Sequence, residues 1–153
     1  MAGLEKKTEL GIIGEKIVRN FMTANGFTVT DTLNVYDSDK DFDAEKNGKK
    51  YTVEVKTQVP FVTKNAFTIK ENQYRKCFSV DLLMFVCVPP NKPFPHGGQV
   101  FAVIPKNTKT EKFTTASGKK MILIPINQTS VKSVKKMTGE EISLLNNSKS
   151  TEY

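Results

Sequence analysis

The dipeptide Asn47-Gly48 constrains this chain more than any other pair of residues. It lies within Lys40-Asp41-Phe42-Asp43-Ala44-Glu45-Lys46-Asn47-Gly48-Lys49-Lys50-Tyr51-Thr52-Val53-Glu54-Val55-Lys56. It is the strongest short-range hairpin signal, because a type I′ turn needs a positive φ at both central residues. A two-residue turn there pairs Lys46 with Lys49, and the register follows by counting. Glu45 faces Lys50, Ala44 faces Tyr51, Asp43 faces Thr52, Phe42 faces Val53, and Asp41 faces Glu54. Opposed side chains share a face with Cβ atoms about 4.5–5.5 Å apart. Lys56, two residues beyond Glu54, shares that face. The register predicts two carboxylates brought together with an ammonium beside them.

Like charges directly opposed in a sheet destabilise it, and a divalent cation removes the repulsion. Mg²⁺ takes one or two carboxylates and fills its remaining positions with water and phosphate oxygens. A lysine beside such an ion can orient water or neutralise a phosphate. The constellation therefore suits metal-assisted phosphodiester hydrolysis. The alternative is an ordinary solvated hairpin face on which Lys49, Lys50 and Lys56 screen the acids.

The remaining composition narrows the chemistry. A chain of 153 residues favours one domain with a core that needs no staples. No apolar run approaches the roughly 20 residues of a membrane span, and Met-Ala-Gly-Leu-Glu-Lys-Lys lacks the apolar centre of a signal peptide. Cys77 and Cys87 stand apart, and with His96 as the lone histidine they do not supply the four ligands of an ordinary zinc site. Isolated cysteines point to a reduced, intracellular setting, so a cytoplasmic or nucleoid-associated protein is expected, with any metal held by oxygen. Residues 1–56 hold nine Lys/Arg and ten Asp/Glu, whereas residues 57–153 hold fourteen and six. An acidic site in a basic body suits a metal that works on a polyanion; generic solubilising charge is the plainer account.

Residues 7–25 are predicted as a helix, with Thr8 as N-cap, a stripe of Leu10, Ile13, Ile17, Phe21 and Ala24, and Asn25-Gly26 as its stop. Gly11 and Gly14 each cost about 1 kcal/mol against alanine in a helix, which suggests close approach by another backbone or a ligand. Glu15 borders the apolar stripe and is either an accessory ligand facing the hairpin or a boundary glutamate paired with Arg19. A strand is expected at 27–30, a polar loop with Asp37 and Asp39 at 34–40, hairpin strands near 41–46 and 50–57 ended by Gln58 and Pro60, and a short extended piece at 66–69. A basic helix is expected at 70–79. Leu82-Leu83-Met84-Phe85-Val86-Cys87-Val88 suits a strand buried on both faces. Residues 89–98 form a loop by composition, 99–104 a strand, and the lysine-rich 106–120 segment a mobile surface loop or a hairpin. Met121–Ile126 is expected as an outer strand. Thr138-Gly139-Glu140-Glu141 opens a last helix, and the polar tail from about 146 to 153 is expected to fray.

This order resembles the PD-(D/E)XK nuclease superfamily, particularly its small resolvase-like and restriction-endonuclease-like members. The residues carrying the resemblance are Gly14-Glu15, Asn25-Gly26-Phe27, Asp41 with alternating apolar residues after it, and Glu54-Val55-Lys56. It covers roughly residues 8–104. The proline that often precedes the family's aspartate is absent, and Lys40 stands there. The resemblance implies an α/β fold with a restriction-endonuclease-like core, a central mixed sheet flanked by helices in the order αβββαβ. It implies Asp41 and Glu54 as ligands of Mg²⁺ or Mn²⁺, the carbonyl of Val55 as a further contact, Lys56 as the residue that positions the attacking water, and Glu15 as the accessory carboxylate. Asp43 is the rival of Asp41, and the register favours Asp41. Gln58, Lys70, Gln73, Tyr74 and Lys76 are candidates for touching nucleic acid, each with an ordinary solvated alternative. The expected activity is metal-dependent DNA endonuclease cleavage by a homodimer or higher homo-oligomer. The alternatives are a non-catalytic nucleic-acid-binding module on the same fold and a nuclease acting on RNA.

Overall fold

The computed structural model describes residues 8–31 and 40–148. The expectations for Lys7, for the loop carrying Asp37 and Asp39, and for the tail beyond Ser148 lie outside the described residues. Over these residues the chain is α/β: a six-stranded mixed sheet, a three-stranded antiparallel sheet and three α-helices.

Helix α1 (Glu9–Ala24) starts where its cap predicts, with Thr8 accepting a hydrogen bond from the Gly11 N–H at 3.0 Å. Strand β1 (Thr28–Asp31) follows the turn at Asn25-Gly26, where Gly26 has φ +90°. Strands β2 (Phe42–Lys46) and β3 (Lys49–Gln58) form the hairpin, with Asn47 at φ 56° and Gly48 at φ 78°, as a type I′ turn demands. The register from Lys46–Lys49 to Phe42–Val53 matches the count from the sequence. Strand β4 (Ala66–Lys70) runs into helix α2 (Glu71–Cys77), shorter than expected, and then into strand β5 (Leu82–Cys87). Strand β6 (Gln99–Val103) comes after the proline-rich loop.

The 106–120 segment contributes to a hairpin. It holds strand β7 (Glu111–Thr114) and leads into strand β8 (Lys120–Pro125). Strand β8 was expected on the outside and instead is the middle strand of the small sheet, in the order β4-β8-β7, with Ile122, Leu123 and Ile124 buried. Strand β9 (Val131–Lys136) and helix α3 (Gly139–Ser148) complete the fold. Helix α3 opens on a capping box: Thr138 Oγ1 accepts from the Glu141 N–H, and Glu141 Oε1 accepts from the Thr138 N–H.

The large sheet runs β1-β2-β3-β5-β6-β9, and its one parallel pair is β3–β5. Strand β5 is buried on both faces, as its unbroken apolar run requires. Met84, Val86 and Val88 enter a core with Ile17, Val18 and Met22 of α1 and Leu145 of α3. Leu83, Phe85 and Cys87 enter a second core with the small sheet and α2, where Phe67 stacks on Phe85 at 4.3 Å between centroids.

Gly14 explains how closely α1 lies on the large sheet. A Cβ built there would stand 1.7 Å from Thr57 Oγ1, so only glycine admits this approach. Gly11 has a different neighbour from the one expected: among the described residues outside its own helix, its Cβ would meet only the Thr8 cap hydroxyl, at 3.3 Å. Gly14→Ala is expected to lower stability by about 1–3 kcal/mol through overpacking. The urea midpoint should fall without a change in slope, and Thr57→Ala in the same chain should restore part of the loss.

Candidate metal and phosphodiester site

Strand β3 builds the site because its side chains alternate between the two cores. Val53 and Val55 point into the α1 side. Glu54, Lys56 and Gln58 lie on the other face, where their contacts are found. Glu54 is only 8 % exposed and is the one charged residue buried among the described residues. Its Oε2 lies 3.6 Å from Lys56 Nζ and 4.0 Å from the Cys77 thiol at the end of α2. Both separations are long for charge-assisted hydrogen bonds.

Asp41 is placed differently from the extrapolated register. Pairing ends at Phe42–Val53, and Asp41 stands one residue beyond β2. Its N–H donates to the Val53 carbonyl at 2.8 Å, a bond that direct Asp41–Glu54 opposition does not contain. Its carboxylate accepts from the Val55 N–H at 2.7 Å. Asp41 is thus fixed to the peptide that follows Glu54 by a side-chain bond where a longer ladder would use backbone. Val55 is engaged here through its N–H; its carbonyl was the group expected to face a metal.

Asp43, the rival, is neutralised by Lys40 at 3.0 and 3.2 Å. Lys40, the residue before Asp41, thus occupies Asp43. Glu15 makes the Arg19 pair expected of a boundary glutamate, at 3.0 Å, and Arg19 also reaches Asp31 at 2.7 Å and stacks over Phe42 at 4.7 Å. Burial opposes the charge on Arg19, but the two carboxylates outweigh it and raise the guanidinium pKa above its ordinary value. This chain of ion pairs ends on Phe42, next to Asp41.

Among the described residues no group of three or more His, Cys, Asp or Glu stands close enough to hold a metal. Asp41 and Glu54 are both carboxylates, hard oxygen donors, and the Cys77 thiol stands beside Glu54. Carboxylate oxygens are the donors that a small hard cation takes while keeping most of its water, whereas a zinc site wants N and S ligands.

The outlying candidates are also placed. Gln58 is bonded at both ends of its amide to the Thr68 backbone, donating to the carbonyl at 2.7 Å and accepting from the N–H at 2.8 Å. It joins β3 to β4. Tyr74 is a core residue whose hydroxyl donates to the Pro105 carbonyl at 3.4 Å; burial, and then Cys77, raise its pKa. Lys70 and Lys76 are exposed and Gln73 is half-buried. Neither the lone Cys77 thiol beside Glu54 nor Lys40 beside the acidic strand carries a sequence signal.

Gln58→Ala is expected to cost about 2–3 kcal/mol, since it leaves two Thr68 backbone groups unpaired. Thermal unfolding measures this, and an unchanged midpoint would mean that the amide serves a ligand instead. No helix of the described residues is long and apolar enough to cross a membrane. Comparison with protein-family models, with curated proteins and with solved structures gave no match.

Proposed function

We propose that the chain is a metal-dependent DNA endonuclease of the PD-(D/E)XK type, built on a restriction-endonuclease-like core. The observation that carries this reading is the buried Glu54 beside Lys56, with the Asp41 carboxylate bonded to the next peptide N–H. A buried carboxylate costs several kcal/mol unless it is well paired, and Glu54 has Lys56 Nζ at 3.6 Å and the Cys77 thiol at 4.0 Å among its neighbours. A cation held by this carboxylate would offset part of that cost. The order α1, β1, β2, β3, α2, β5 supports the same reading, with β4 inserted before α2.

Asp41, Glu54 and the Val55 carbonyl would hold Mg²⁺ or Mn²⁺, which supplies Lewis-acid stabilisation of phosphate charge when bound. Lys56 orients the attacking water through its ammonium and offsets negative charge on the scissile phosphate. The Val55 N–H keeps Asp41 in one rotamer, and Lys40 keeps Asp43 out of the site. Glu15 serves as the accessory carboxylate only if it leaves Arg19. A homodimer would present two such sites to the two strands.

A second reading, a non-catalytic nucleic-acid-binding module, is favoured by the prior engagement of Asp41 with Val55 and of Glu15 with Arg19. Cleavage assays separate the two. With Mg²⁺, Asp41→Asn, Glu54→Gln and Lys56→Ala should each reduce cleavage by about a hundredfold or more while the circular dichroism stays native. If all three cut like wild type, the site is wrongly assigned. If wild type cuts none of linear duplex, branched DNA, single strand and RNA, the binding-module reading replaces it, and cleavage of RNA alone would change the substrate.

A further inference from the structure

At the opposite end of α2 from Cys77 lies a cleft of about 420 Å³, lined by Lys70, Glu71, Asn72, Arg75, Lys119 and Lys120. Four of the six lining residues are cationic and one is acidic. Glu71 is committed to Arg75 at 2.6 Å, so the lining retains a strong positive excess. Two segments far apart in sequence, 70–75 and 119–120, converge there. Lys70 ends β4, Arg75 is on α2, and Lys119 and Lys120 lead into β8. Pairing of Lys70 with Met121 and of Thr114 with Lys120 holds the strands together.

The turn that presents Lys119 is fixed. Its N–H donates to Thr115 Oγ1 at 3.0 Å and its carbonyl accepts from the Thr115 N–H at 2.9 Å, with Gly118 at φ +88°. Gathering like charges is unfavourable in the free protein, and nothing in the lining besides Glu71 neutralises them.

We infer that this cleft binds the phosphodiester backbone of DNA, as a phosphate-holding subsite separate from Glu54. The inference rests on the nuclease reading for the identity of the polyanion. None of the six lining residues is aromatic, so the cleft offers no stacking platform for bases. It contacts phosphates and carries no sequence information. Helix α2 sets the spacing: seven residues span about 10 Å, or about three phosphates along one strand at roughly 3.4 Å each. Cys77 touches Glu54 at one end of this spacer, and Lys70 stands at the other. A duplex bound in the cleft therefore runs along α2 toward the Glu54 end.

The test is fluorescence anisotropy of the full chain with two labelled duplexes of unrelated sequence, in EDTA, across a salt series. Lys119→Gln with Lys120→Gln should make the slope of log K against log salt shallower by about 1.8, the release expected for two phosphate contacts, and weaken binding at least about tenfold near 0.1 M salt. Both duplexes should respond alike. The control is Lys132→Gln with Lys136→Gln, the same loss of charge on exposed residues of β9, and it should leave the slope close to wild type. An unchanged slope in the cleft variant, an equal change in the control, or a loss confined to one duplex overturns the inference. Because EDTA removes any metal-dependent step, the Asp41, Glu54 and Lys56 cleavage series fails or succeeds independently of this measurement.

Discussion

A strand has two faces, and β3 must serve a different environment with each. It is paired on one edge with β2 and on the other with β5, so its residues cannot rotate away. Val53 and Val55 bury their side chains under α1, which forces Glu54, Lys56 and Gln58 toward α2 and the small sheet. A one-residue slip would place Glu54 in the apolar core of α1 and Val53 beside Cys77. The Asn47-Gly48 turn prevents that slip. Everything proposed for Glu54 and Lys56 depends on this register being held.

Two further contacts carry the register into three dimensions. Gly14 lets α1 press on Thr57, whose Oγ1 is buried without a hydrogen-bond partner among the described residues. An unpaired buried hydroxyl costs about 1–3 kcal/mol, so tight helix–sheet packing is preserved here against a polar penalty. On the opposite face Gln58 stitches β3 to β4 with two backbone bonds, which fixes where β4 ends and α2 begins. The height of α1 and the start of α2 are thus both measured from successive residues of β3.

The parts legible in the sequence were those encoded locally. The hairpin, the Thr8 and Thr138 caps, and the doubly buried β5 each rest on a few adjacent residues with one strong preference. The end of the register was not legible, because Asp41 leaves the ladder through a side-chain bond to Val55 that no spacing announces. Nor was the small sheet, whose β4 and β8 pair across more than fifty residues of sequence and whose β7 shows too little apolar alternation to stand out. Tyr74 was assigned to the surface because a seven-residue helix is too short to show periodicity. Strand β9, Val-Lys-Ser-Val-Lys-Lys, reads as a polar segment until Val131 is seen in the second core.

Charge connects the proposed site to the basic cleft. Asp41, Glu54 and Lys56 together leave one excess negative charge, and Lys40 is already spent on Asp43. A phosphate approaching Glu54 unaided meets net repulsion, sharpened by the low dielectric around a buried carboxylate. A divalent cation changes the local balance to one positive charge. That makes ion binding and phosphate binding mutually favourable, so each should raise affinity for the other. The basic cleft across α2, in the proposed reading, supplies attraction that needs no metal. In the proposed reading the two ends of α2 therefore divide the work: the basic end holds the backbone, and the acidic end admits a phosphate only once a cation is present.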